Sequence, residues 1–345
     1  MRDKDRYWDC LDQAMEASHG GRTDEALAWL DEALKAHPDG AEAHNGRGEI
    51  LWDEGKVEEA LAEFELAAKA DPKFVAAHLN RAELLVEEFA AYEEAIEHCD
   101  RMLAGGGELA RLDRGTEAEV YYLKSKALFY QDDLDGALFL LRRALKTSGE
   151  QAVYRAFEGQ ILFEMARFEE ARKHLERAVS LDPEAPHAVY HLGLVLERLG
   201  EGEEAERALA RANSLDPDHY LLPLAMDDAS FEQVVRDSVE NAPLSIREAL
   251  AHIPLLIEDF PSEDLIEGDN VSPQTLGVFI GVPRKEALAT AQAQDVDRVV
   301  LFKKNLEKIC RNRAELLEQI ETTVRHEVGH YLGLDEDALE RLGLA

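Results

Sequence analysis

"AEAHNGRGEILWDEGKVEEALAEFELAAKADP", residues 41–72, decides how most of this chain folds. Counted from Ala41, Gly48, Leu51, Ala60, Phe64, Ala67 and Pro72 stand at positions 8, 11, 20, 24, 27 and 32 of a 34-residue unit. Small residues at the first, third and fifth of these places let two helices approach closely. The larger apolar residues fill the groove between them, and the proline stops the second helix. Such a hairpin cannot bury its apolar face alone, so it must stack on copies of itself. The copies are present. Upstream, Ala14, Ala17, Ala26, Leu30, Ala33 and Pro38 repeat the register counted from Tyr7. Downstream, the units that start at Ala118, Ala152 and Pro186 place Ala137, Leu141 and Ala144, then Ala171, Leu175 and Ala178, then Ala205, Leu209 and Ala212 at the same positions. The unit from Val75 keeps Ala82 and Leu85 but reaches its next small residue, Ala95, one position late, and it runs into "GGGELARLDRG" (105–115), which reads as a loop.

This register closely resembles the tetratricopeptide repeat, with about six copies, and the resemblance implies an all-α repeat solenoid over residues 1–220. Arrays of this kind present a concave face of first-helix side chains, so the expected partner is a protein or peptide bound there. In the second and third units that face carries Glu42, Asn45, Gly46, Glu49, Ala76, Leu79, Asn80 and Glu83. It lacks the lysine and arginine set that would hold a chain terminus by its carboxylate. The sixth unit offers His187, Tyr190 and His191, which read as an ordinary polar inner face.

The period disappears after Pro217, and 221–228 reads as a linker to a second domain, 229–345. The array is therefore expected to fold independently of that domain. Phe231, Val234, Val235 and Val239 at three-and-four spacing predict a helix, and "IREALAHI" (246–253) predicts a second, short one. Apolar, β-branched runs at 253–257, 276–282 and 297–302 predict three strands. A long helix is expected from Asn312 to Leu332, with Leu317, Ile320, Val324, Val328 and Tyr331 as its buried stripe.

That helix ends in "HEVGHYLGLDED" (326–337). His326 and His330 each lie two residues beyond a stripe valine, about 200° around the helix, and so point away from the main core. Four residues apart, they stand one above the other and can offer two imidazole nitrogens to one zinc ion, with Glu327 beside them to act on water. Gly333 can take the positive φ that ends the helix and turns the chain back, which brings Glu336 to the place of a third ligand. Asp335 falls one residue short. Asp337 with Glu340 reads as a capping box for a terminal helix. Together with "SFEQVVRDSVENAP" and "LGVFIGVP", this stretch is similar to a family of small bacterial metallopeptidases with a minimal zincin, or matrix-metalloproteinase-like, α/β fold. The family motif reads HExxHxxGxxD, and Glu336 stands here in the place of its aspartate.

Two functions are open on this reading. One is a zinc-dependent peptidase in which Glu327 is the general base, His326, His330 and Glu336 hold the metal, and the repeats recruit substrate. The other is a non-catalytic interaction scaffold whose zinc domain is structural or a binding module. Thirty-eight basic against 72 acidic residues give a net charge of -34, which repels a phosphate backbone and excludes nucleic acid as the expected partner. No apolar run approaches the ~20 residues needed to span a bilayer, and the first residues carry no apolar signal core. Three widely spaced cysteines, Cys10, Cys99 and Cys310, suit a reducing cytoplasm. Cys310 could place a thiolate near the metal or serve as a small buried hydrophobe.

Overall fold

The computed structural model describes residues 2–104, 112–269, 271–281 and 297–342. Most of the loop expected at 105–115, and Val282 at the end of the second expected strand, lie outside them. Among the described residues twelve helices follow one another, paired as hairpins except where the two compact units meet: α1 (Arg2–His19) with α2 (Thr23–Ala36), α3 (Ala41–Asp53) with α4 (Val57–Ala70), α5 (Val75–Glu87) with α6 (Tyr92–Ala104), α7 (Arg114–Tyr130) with α8 (Leu134–Ser148), then α9 (Ala152–Glu164) and α10 (Phe168–Leu181) in turn, and α11 (Pro186–Arg198) with α12 (Gly202–Leu215).

The small-residue slots work as their spacing requires. A Cβ on Gly48 would come within 2.5 Å of the Phe64 ring, and one on Gly193 within 2.8 Å of the Leu209 side chain. Ala60, Ala67, Ala205 and Ala212 are buried beside them. The slipped third unit is explained by its turn. Residues 88–91 join α5 to α6, one residue more than the 54–56 turn between α3 and α4. Ala90 takes a φ of 48° inside that longer turn, and Ala95 still reaches the fully buried slot.

The chain divides into two compact units, Met1–Ile161 and Leu162–Ala345. Within the second, α12 is followed by an extended segment, α13 (Asp228–Asn241), α14 (Leu244–Leu250), β1 (Leu255–Glu258), α15 (Glu263–Asp269), β2 (Gly277–Ile280), β3 (Arg298–Phe302), α16 (Lys303–Ile309), α17 (Arg313–Tyr331) and α18 (Glu336–Leu342). The sheet is three-stranded in the order β1-β3-β2. β1 runs parallel to β3 with Leu255 opposite Val299, and β2 runs antiparallel to it with Phe279 opposite Val299. This is a helical repeat solenoid followed by a small α/β region.

Its core joins the sheet to the helices: Val299 and Leu301 from β3, Phe231, Val234 and Val235 from α13, Leu306 from α16, and Leu316, Ile320, Val324 and Val328 from α17. The stripe of α17 starts one residue earlier than its spacing predicts. Leu316 is fully buried, while Leu317 only packs against the core's margin. Asn312 caps α17, its side chain accepting the Ala314 and Glu315 amides.

Candidate metal centre

The last turns of α17 carry the chemistry. Val324 and Val328 are buried in the core, which turns His326 and His330 to the other side of the helix, where both are half-buried. Their Nε2 atoms stand 3.0 Å apart and their rings are 4.6 Å apart, edge to face. The Leu334 carbonyl lies 3.3 Å from His330 Nδ1. Accepting the Nδ1–H there selects the tautomer that leaves the Nε2 lone pair facing His326.

Two ligands on one tetrahedral zinc, each at ~2.0 to 2.1 Å, would have their nitrogens about 3.3 Å apart. The imidazole pair needs to open by only a few tenths of an ångström to fit. Its donor chemistry, neutral imidazole nitrogen, suits zinc as well. Among the described residues, no group of three histidine, cysteine or carboxylate side chains stands together in metal-holding geometry.

Glu327 is buried and projects toward the sheet, where its Oε2 accepts the Phe279 amide of β2 at 2.6 Å. The strand register explains why that amide is available. The Phe302 amide donates to the Leu276 carbonyl, so in the antiparallel alternation Val278 and Ile280 bond with β3 while Phe279 faces the strand's outer edge. Gly277 brings the strand so near: a Cβ there would lie 2.6 Å from Thr323 Cγ2, one turn before Glu327. The Phe279 ring then rests edge-on against Tyr331, at 5.7 Å between centroids. Neither Phe279 nor Tyr331 is recognisable as part of the site from spacing alone, because each lies in an apolar pattern that reads as core.

After Tyr331 the chain turns as expected. Gly333 has a φ of 80°, and the Leu334 amide donates back to the Gly329 carbonyl. Glu336 is the first residue of α18, and its side chain is outside the described set. Leu339 packs onto Gly329, where a Cβ would meet its Cδ2 at 2.3 Å, so the small residue between the histidines lets α18 lie against α17. The cap of α18 differs from the expected one. Asp335, not Asp337, accepts the Ala338 amide, at 2.9 Å from its Oδ1. Only Leu334 and Asp335 separate the Gly333 turn from α18, so the helix starts two residues earlier and Asp337 falls inside it.

Cys310 is 2% exposed and belongs to the apolar core. Burial, with a smaller contribution from the Glu315 carboxylate, pushes its thiol up to about 11, so it is a packing group and not a thiolate.

Comparison with known proteins bears on both halves. The family model for a zincin-like metallopeptidase matches residues 250–344, and the tetratricopeptide repeat model matches 11–73, 51–110 and 158–219. The chain carries tetratricopeptide repeats and a zincin-like metallopeptidase domain. Solved structures similar to the array include PilW, a widely conserved type IV pilus biogenesis factor, at 18% identity over 61% of this chain and 94% of that one, with a TM-score of 0.54. Another is pilF of Pseudomonas aeruginosa, at 16% identity over 63% and 95% of the two chains and a TM-score of 0.52. A third is a tetratricopeptide repeat protein from Parabacteroides merdae, at 15% identity, 62% and 80% coverage and a TM-score of 0.52. These likenesses show the repeat fold. No curated protein matches the chain in sequence. Among the described residues no helix is long and apolar enough to cross a membrane.

In the first two hairpins a cavity of 410 Å³ has an apolar floor that includes Leu11, Met15, Leu30 and Ile50, and carboxylates at Glu42, Glu49 and Asp53. Asn45 and Asn80 both donate to Glu49, at 2.8 and 3.0 Å, and hold it in place. His191 is buried, with Nδ1 3.0 Å from the His187 carbonyl, and burial lowers its pKa to about 3. It is a neutral packing group of the sixth hairpin.

Proposed function

We propose that the chain is a zinc-dependent metallopeptidase whose repeats recruit a protein substrate or partner. The observation that carries this reading is the convergence of His326 and His330, with Nε2 atoms 3.0 Å apart, beside the buried carboxylate of Glu327. His326 and His330 would hold the zinc through Nε2, with Glu336 as the third ligand. Bound there, zinc supplies a Lewis acid that polarises a scissile carbonyl and makes water a better acid.

Glu327 takes the proton of the attacking water and passes it to the departing amine. Before substrate binds, the Phe279 amide holds this carboxylate in place by hydrogen bonding to it. A substrate strand can pair with the outer edge of β2, where Phe279 presents its backbone, as β-augmentation. Pairing there competes with Glu327 for the Phe279 amide, so substrate binding would release the carboxylate toward the water. Within the array, the Glu42, Glu49 and Asp53 carboxylates over an apolar floor suit a segment with basic and apolar side chains. All three cysteines are free and buried, which suits a reducing compartment such as the cytoplasm.

Metal analysis of the purified protein, with a peptidase screen of wild type against Glu327→Gln, tests the reading. The expected result is about one zinc per chain in both proteins, with hydrolysis reduced ~10²-fold or more in the variant. A variant as active as wild type overturns Glu327 as the base. Zinc retained by a His326→Ala/His330→Ala double variant overturns the metal assignment.

A further inference from the structure

The expectation that the repeats fold apart from the metallopeptidase domain meets a set of contacts inside the second compact unit. Lys308 of α16 is buried and donates to Glu197 Oε2 of α11 at 2.6 Å. Burial lowers the Lys308 pKa, and removing Glu197 would leave an uncompensated charge in a desolvated place. Next to it, the Arg198 guanidinium lies 4.8 Å from the Phe168 ring centroid and 5.1 Å from that of Phe260, and donates to the Pro261 carbonyl at 2.8 Å. The linker is tied down as well. Glu307, fully buried, accepts the Met226 amide through Oε1 at 2.7 Å, and its carbonyl accepts the Leu224 amide.

One of these contacts leads to the candidate centre. Glu164, the last residue of α9, accepts Ser272 Oγ at 2.8 Å through Oε2 and Gln274 Nε2 at 3.0 Å through Oε1. Asn305 of α16, itself buried, holds the same loop from within by donating to the carbonyls of Pro273 and Thr275 at 2.9 and 2.7 Å. The loop runs straight into β2, whose Phe279 amide meets the Glu327 carboxylate. A side chain at the end of α9 thus fixes the segment that delivers Phe279 to Glu327.

We propose that Glu164 is a positioning residue for the metallopeptidase site: by clamping Ser272 and Gln274 it sets the loop at 271–276 and, through β2, the register of the Phe279 amide on Glu327. The last repeats then serve as part of the domain's frame, not only as a recruiting surface. The functional meaning rests on Glu327 being the general base, but the positioning itself can be measured without metal or turnover.

The test is amide exchange, read by mass spectrometry on the full-length chain, for wild type, Glu164→Ala and Glu164→Gln. The glutamine variant has the same shape. Its carbonyl can accept Gln274 Nε2 and its amide can donate to Ser272 Oγ. In Glu164→Ala two hydrogen bonds to a charged group are lost, and exchange of peptides covering 271–281 should rise roughly ten-fold or more. Exchange in α7 and α8 should be unchanged, and Glu164→Gln should restore the wild-type pattern at 271–281. Unchanged exchange at 271–281 in Glu164→Ala overturns the proposal. So does a rise spread evenly over the whole chain, which marks a general stability role, and so does a glutamine variant that behaves like alanine. If the exchange pattern is as expected while Glu327→Gln retains full peptidase activity, the positioning stands and the assignment of the base falls.

Discussion

Close approach of backbones is achieved in both halves of this protein, but by different means. In the hairpins, Gly48 against Phe64 and Gly193 against Leu209 are the same contact made at the same place of a 34-residue register. In the metallopeptidase domain, Gly277 against Thr323 and Gly329 against Leu339 are each made once, between elements far apart or differently connected in the chain. A periodic contact announces itself by recurring. A unique one is indistinguishable in sequence from any other glycine, although Gly277 and Gly329 set where β2 and α18 lie around Glu327 and the histidines.

The comparison is broken most directly by deleting the periodic knobs. Phe64→Ala and Leu209→Ala remove fully or nearly fully buried side chains at the same register position of the second and sixth hairpins. Each should cost ~2 to 5 kcal/mol in chemical denaturation, with the phenylalanine in the upper part of that range. If one of them unfolds at the wild-type midpoint, the hairpins are not equivalent units.

Next in size is the effect on the metal. Glu336→Ala should weaken zinc, titrated against a chelator, by more than the ~10 to 100-fold of an outer-shell loss, while Asp335→Ala and Asp337→Ala stay within that range. Loss of zinc from Asp335→Ala instead would give the third ligand to the residue that caps α18.

A smaller effect separates the two aspartates by stability. Asp335→Ala removes the side chain that accepts the Ala338 amide and should cost ~0.5 to 2 kcal/mol in the metal-free protein. Asp337→Ala should change stability by less than ~0.5 kcal/mol, because that residue is inside the helix and exposed. Equal losses would restore Asp337 as a cap.

The smallest effect is on pH dependence and lies in the hairpins. His98 is buried, 3.2 Å from the His78 carbonyl through Nε2, and burial, with Arg81, His78 and Arg101 nearby, lowers its pKa to about 3. His191 is lowered to about 3 by burial and by His187. Both folded values lie below the ~6.5 of an unfolded histidine, so the unfolded chain binds more protons between these limits. Stability is therefore complete above about pH 6.5 and falls as the pH drops, by ~1 kcal/mol per histidine between pH 6.5 and 5.5. Denaturation midpoints at the two pH values measure this, and His98→Gln should remove its share of the slope. An unchanged slope would show that His98 takes up its proton alike in the folded and unfolded chain over this range.

Part of the candidate site's geometry is legible in the sequence. His326, Glu327 and His330 share one helix, and helical geometry converts their spacing directly into a shared face. Gly333 was legible for the same reason, since a helix must end in a way its termini allow. The cap of α18 is not legible, because Asp335, Glu336 and Asp337 are all short-range candidates and only the two-residue link after Gly333 chooses among them. Phe279 was invisible as a partner of Glu327 because its contribution is a backbone amide, which every residue but proline has.

What the amino-acid sequence determined by itself is whatever is local or repeated: hairpins from a 34-residue period, the α/β character of the last third, and the histidine pair. What only the tertiary structure decided is which distant segments meet. Glu164 reaches Ser272 and Gln274, Lys308 reaches Glu197, and β2 is laid on α17 so that one outward-facing amide meets one carboxylate. The physical reason is that helix periodicity acts over three or four residues and repeat stacking over thirty-four. Contacts between residues about 50 to 110 apart depend on how whole elements pack, and no local spacing encodes that.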